Sequence, residues 1–249
     1  MDPESTFSSV IMIKTNIAAV LANEVGRRSW RREMVAIGTA TDPYQPAEGT
    51  YRLTRQAIEV LARFKTPASI VTKGTLIVRD VDVLQNLDRR AGVTVCHSIP
   101  TTDIDIWRKS EPGTPAPRHR LAALRGLRDS GIRAGVLLAP LMPGLSARPE
   151  IMRETVRAAV DHGASFVWAN VLHLGPHVRD TFMTFLAREF PDLLKDYETN
   201  YSGKYAPPGL SKPILGSVKD SLREFNLENR YLVYRTELAS IPRQLILPL

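Results

Sequence analysis

Three polar clusters in this chain combine residue types that can do chemistry. The first is Gly38-Thr-Ala-Thr-Asp-Pro-Tyr-Gln-Pro46, where Thr39, Thr41, Asp42, Tyr44 and Gln45 crowd one loop stiffened by two prolines. Such a loop offers hydroxyls, a carboxylate and backbone groups to a polar ligand, and equally forms a rigid turn held by Asp and Thr side chains. The second is Val71-Thr72-Lys73-Gly74-Thr75, whose ammonium suits a carboxylate or phosphate, or a Schiff base with a carbonyl substrate. The third is Ser98-Ile-Pro-Thr-Thr-Asp103, followed by Glu111-Pro-Gly113 and then Arg118 and Arg120. An ion pair from Glu111 to Arg118 or Arg120 that pins the loop is the favoured reading there, with ligand contact as the alternative. His173 and His177 could ligate a metal, but no carboxylate or cysteine pattern accompanies them. Neither a P-loop nor a dinucleotide-type glycine fingerprint occurs.

The elements that position these clusters alternate. Apolar strand patterns at 10–13, 34–37, 69–72, 93–99, 134–139 and 165–171 are separated by helical patterns at 16–25, 51–64, 81–88, 118–129 and 150–161. That alternation predicts an α/β fold with a parallel sheet. Gly92, Gly131 and Gly163 each stand between a helical pattern and the next strand, where a left-handed cap ends the helix. The clusters above all follow strands, the edge at which parallel α/β folds hold ligands. From about residue 178 helical patterns (179–189, 193–199, 213–225) follow one another without strands, joined by a turn-rich stretch at 201–208. Residues 242–249 read as a tail packed on the barrel.

Composition is that of a water-soluble globular chain: 249 residues, 43% hydrophobic, 24% charged. No apolar run is long enough to span a bilayer, and the N-terminus lacks a signal-peptide layout, so a cytoplasmic location with no membrane partner is expected. Cys96 is the sole cysteine, which excludes an internal disulfide and a cysteine-built zinc site. Its apolar surroundings favour an inert, buried thiol over a nucleophile. The net charge of +7 favours polyanionic partners. The densest basic run, Arg27-Arg28-Ser-Trp-Arg31-Arg32, reads first as a solvated connection and second as a nucleic-acid contact.

Five strings occur in order: Gly38 to Pro46 with Glu48, Ser69-Ile-Val-Thr-Lys73, Ser98-Ile-Pro-Thr101, Glu111-Pro-Gly113 and Ala139-Pro-Leu-Met-Pro-Gly144. Together they resemble the radical S-adenosylmethionine (SAM) family, in its spore photoproduct lyase-like or DNA repair photolyase-like branch. The resemblance implies a partial (β/α)6 TIM-type barrel over residues 1–177, lacking its first strand, with a C-terminal helical extension over 178–249 packed on it. It implies SAM as cofactor beside a 4Fe–4S cluster held by a CxxxCxxC loop. Reductive cleavage of SAM to a 5′-deoxyadenosyl radical would be powered by an electron donor such as flavodoxin or ferredoxin. By position, Lys73 would pair with the SAM carboxylate and Ser98 would hydrogen-bond its methionyl or ribosyl part. Thr41 and Asp42 would shape the methionine end, and Pro140 and Leu141 would lie near the adenine. Nucleic acid is the substrate class the resemblance leans toward. The cluster cysteines are missing from this sequence. The expectation is therefore a chain truncated at its N-terminus and inactive alone, with a cluster-free SAM-binding protein as the alternative and a lyase using Lys73 as a third reading.

Overall fold

Strand-to-strand pairing in the computed structural model, which describes residues 13–227, is parallel throughout and strictly sequential. β1 (Val35–Ile37), β2 (Ala68–Thr72), β3 (Val93–Ser98), β4 (Arg133–Leu141) and β5 (Val167–Val171) lie side by side in the order in which they occur in the chain. Sequential order means that every crossover steps the same way. With right-handed crossovers the helices then gather on one face, as in a sector of a barrel; a doubly wound sheet reverses direction midway. Of the strand pattern at 10–13, all but Ile13 lies outside the described residues, as does the tail at 242–249.

Three joints show why the chain turns back so tightly. Gly92, Gly131 and Gly163 have φ of 99°, 81° and 77°, a region costly for residues with a Cβ. The amides of Ile132 and Ala164 then reach back to Leu127 and Ala159, both at 3.0 Å, closing the helix ends. At the first joint the Val93 amide instead donates to the Asp88 side chain.

The helices between strands are α1 (Ile17–Val25), before β1; α2 (Pro46–Tyr51) and α3 (Leu53–Arg63); α4 (Val81–Arg90), after a 3-10 turn at Thr75–Asp80; α5 (Ile104–Ser110) and α6 (Pro117–Asp129); and α7 (Pro149–Asp161). One continuous helix expected over 51–64 is broken at Arg52, whose φ of 52° is left-handed. Glu48 secures the break by accepting the Thr54 and Arg55 amides, which caps α3. Helix α5 is too short to show a helical period in the sequence; Asp103 caps it, accepting from the Asp105 and Ile106 amides at 2.9 Å.

Period-two alternation sorts each strand onto two faces. Ile70, Val95, Val136 and Val167 face the helices and pack with Ile58, Leu61, Leu84 and Leu124 in the main core. The intervening residues form a separate plug of Cys96 and Phe166 with Val71, Leu137 and Trp168. Helix α10 (Pro208–Glu224) packs on α7 and β5 through Ile214, Val218 and Leu222. Helices α8 (Pro176–Glu189) and α9 (Leu194–Asn200) build a second core in which Tyr197 donates to the Pro143 carbonyl and Tyr201 to that of Leu172. Those two phenols tie the C-terminal helices to the loops after β4 and β5.

Two glycines should respond oppositely to alanine. A Cβ on Gly135 would sit 2.4 Å from the Phe166 carbonyl and 2.6 Å from its ring, so Gly135→Ala should destabilise by about 1–3 kcal/mol in urea unfolding. Gly216, inside α10 with nothing within 4 Å, should tolerate Ala with a gain of about 0.5–1 kcal/mol.

Candidate functional site

Gly38 starts the loop after β1 with φ +92°, and a Cβ there would lie 2.0 Å from the Val71 carbonyl. The backbone therefore presses directly on β2. Asp42 fastens the loop from the other side: Oδ1 accepts from the Thr72 hydroxyl at 2.5 Å and the Tyr44 amide at 2.9 Å, and Oδ2 from the Lys73 amide at 2.6 Å. All of these partners belong to the protein. The structural-turn reading of this loop thus accounts for Asp42, while Thr41 stays exposed at its tip. Tyr44 is buried beside Asp80, and burial pushes its phenol pKa up.

Lys73 follows Thr72 and takes the opposite face. Its side chain is 33% exposed, with Nζ 3.5 Å from Glu111 Oε1. Glu111 is held in turn by Arg120, 2.8 Å from Oε2. Of the two arginines the sequence offered as its partner, the structure selects Arg120, which is wholly buried. Three more guanidinium donors reach the Pro115 carbonyl at 2.7 Å, the Ser98 carbonyl at 2.8 Å and Thr114 Oγ1 at 2.5 Å. A buried guanidinium demands an acceptor on each nitrogen, and meeting that demand fixes residues 111–116 over the end of β3.

Ser98 is buried, its hydroxyl donating to the Ala139 carbonyl at 3.0 Å. Pro140 is half-buried just beyond, and the bond before it is cis. Leu141 is a residue of the main core, and its carbonyl accepts the Leu172 amide. The structure thus brings Asp42, Lys73 and Ser98 to one strand-end edge; Thr41 lies at its rim, and the Leu141 side chain packs away from it.

The sequence offers His97 only as the residue that follows Cys96. His97 pairs with Thr72 in the β2–β3 register, is fully buried, and neither ring nitrogen has a hydrogen-bond partner among the described residues. Burial first, and Arg120 second, push its pKa down to about 4, with Asp42 opposing. The imidazole is therefore neutral. Its signal in the sequence is an imidazole inside a strand otherwise built of Val, Thr, Cys and Ser.

Cys96 is wholly buried in the plug, and burial pushes its thiol pKa up, as an inert thiol requires. His173 lies exposed against Tyr205, ring centroids 5.9 Å apart. No group of three or more His, Cys, Asp or Glu that could hold a metal occurs among the described residues. Among them, too, no helix is long and apolar enough to cross a membrane.

This architecture defines a class before it defines a family. The fold is similar to the spore photoproduct lyase radical SAM barrel. A lyase mutant solved with bound AdoMet and dinucleoside spore photoproduct matches with a TM-score of 0.67 over 92% of this chain and 70% of that one, at 17% identity. A second lyase mutant, solved with dinucleoside spore photoproduct, matches with a TM-score of 0.66 at 18% identity over the same shares. No family model matches the chain. In sequence it is 38% identical over 246 residues to the uncharacterized proteins Rv2578c of Mycobacterium tuberculosis and Mb2609c of Mycobacterium bovis, covering 98% of this chain and 72% of theirs. The chain belongs to the family of these mycobacterial proteins. More distantly, it is 24% identical over 177 residues to the radical SAM Nalpha-GlyT isomerase of Pseudomonas phage M6, covering 68% of this chain and 36% of that one.

The depressed pKa of His97 carries a pH signature. Unfolding raises it from about 4 to the ordinary 6.5, so the unfolded state binds the extra proton and stability falls as pH drops through that window. Between pH 7 and pH 5 the loss from this residue is about 2 kcal/mol. Urea unfolding at both values should show it in the wild type, and His97→Gln should lack that increment.

Proposed function

We propose that the strand-end edge binds SAM, with the Lys73 ammonium taking its carboxylate. The observation that carries this reading is the Lys73–Glu111–Arg120 chain. An ammonium has three donors, and the single 3.5 Å contact to Glu111 leaves capacity for a second anion at a partly exposed position. The cation is held in place without being used up. Ser98, one strand over, lies within the same edge and would face the methionyl or ribosyl part. The Asp42-stapled loop, with Thr41 at its rim, forms the wall at the methionine end. Pro140 offers an apolar surface to the adenine, with Leu141 supporting it from the core. AdoMet in a lyase mutant of this fold supports the assignment.

The residues present fit SAM but not the cluster. A 4Fe–4S cluster of the kind the resemblance implies calls for three cysteines, and the 249 residues hold one, sealed inside the plug on β3. The radical chemistry of the branch therefore needs ligands that these residues do not provide. What they supply is recognition: a fixed cation for the carboxylate and stapled loops around it. The cluster-free SAM-binding reading and the radical SAM reading share this pocket.

Calorimetric titration with SAM tests the pocket. The wild-type chain should bind saturably, Lys73→Ala should weaken binding at least tenfold, and Lys73→Arg should recover part of the loss. Saturable binding unchanged by Lys73→Ala, or none at millimolar SAM, would refute the assignment. Anaerobic reconstitution with iron and sulfide should separately yield no stoichiometric 4Fe–4S absorbance or EPR signal; one full cluster per chain would contradict the ligand argument.

A further inference from the structure

Parallel strands joined through helices put every helix-to-strand joint at one edge of the sheet and every strand-to-helix loop at the other. Charge is divided unequally between them. The strand-to-helix loops (38–45, 72–80, 99–117, 141–149 and 172–177) hold five Arg or Lys and five Asp or Glu. The joints at the opposite edge, counted with the helix turns that lead into them (24–33, 63–65, 88–90, 125–133 and 161–162), hold eleven against five, and ten of the eleven are arginine. The surplus of six there compares with a net +7 for the whole chain. The edge that carries the candidate SAM site is neutral, and the far edge is basic.

Arg28, Arg31, Arg32, Arg63, Lys65 and Arg89 are exposed and have no carboxylate partner among the described residues. The helix macrodipole explains Arg63 and Arg89, which lie in last helical turns. It does not explain Arg31, Arg32 and Lys65, which sit in the joints themselves.

The joints are also fastened to one another. Trp30 Nε1 donates to Thr66 Oγ1 at 3.0 Å, pinning the arginine-rich joint before β1 onto the joint before β2. Arg128 spans two further joints through the carbonyls of Ile132 and Gly163, and Arg125 donates to that of Asp161. The cations thus stand on a fixed frame.

We propose that this basic edge docks on the phosphodiester backbone of nucleic acid. Guanidinium forks match phosphate geometry, and the bias toward arginine over lysine suits that ligand. The four joints that hold these cations, before β1 to β4, span roughly 14 Å at about 4.8 Å per strand, a length over which a duplex presents on the order of eight phosphates. A membrane surface fits less well. The exposed large apolar residues among those described are Tyr51, Val78, Ile104, Val178 and Tyr205, and none belongs to these joints, so the edge has nothing to insert. The inference rests on topology and charge and stands independently of the SAM assignment.

Fluorescence anisotropy with a labelled 25-base-pair duplex of scrambled sequence tests it. The wild-type chain should bind at low salt with a steep salt dependence. The triple reversal Arg28→Glu, Arg31→Glu, Arg32→Glu should weaken binding at least tenfold and lower the log–log salt slope by about 2–3. Lys109→Glu with Arg148→Glu, at the neutral edge, should change affinity less than twofold. If circular dichroism shows the triple variant unfolded, Arg89→Glu with Arg90→Glu reads the same slope from the end of α4, with an expected fall of about 1–2. The proposal fails if the wild type shows no saturable duplex binding at about 50 mM salt, or if reversal in the joints leaves affinity within twofold. It also fails if vesicles containing about 30% phosphatidylserine retain the chain while the duplex does not.

Discussion

A fully buried guanidinium organises the candidate site. Arg120 has left water for the space between α6 and the end of β3, and each of its donor positions must be met there or the burial becomes prohibitive. Two carbonyls, one hydroxyl and the Glu111 carboxylate give each of its three nitrogens a partner. Because those acceptors come from residues 98 and 111–115, partnering one side chain fixes the β3 terminus and a loop otherwise free of regular structure. Lys73 is placed through Glu111, and His97 is kept neutral partly by the same positive charge.

Two carboxylates at this edge serve as fasteners. Asp42 spends its oxygens on a hydroxyl and two amides, and Glu111 bridges two cations. Both could be mistaken for catalytic acids in a residue inventory. Once their partners are counted, Lys73 is the group with donor capacity left for a ligand. The opposite edge works by another logic, presenting exposed arginines from a fixed frame of joints; parallel topology keeps the two sets roughly a strand's length apart.

Much of this was legible in the sequence because periodicity and glycine placement are local signals. The five described strands fall within or near the apolar runs, and the glycine joints lie where left-handed caps were expected. Helix phase even carries the choice between Arg118 and Arg120. Arg120 lies on the stripe of Pro117, Leu121, Leu124 and Leu127 that α6 buries, whereas Arg118 does not. The break at Arg52 was not legible, since it depends on a carboxylate reaching across six residues. The isolation of His97 needed the register of β2 and β3, and the charge division needed the strand order. The resemblance led to a fold similar to the spore photoproduct lyase barrel, because its motifs mark the strand ends.

A crystal structure of this chain soaked with SAM decides whether Lys73 takes the ligand's carboxylate. The SAM carboxylate should lie within hydrogen-bond reach of the Lys73 ammonium, with the ligand across the ends of β2 to β4. SAM bound at any other place, or with its carboxylate held by a different cation, would contradict that assignment.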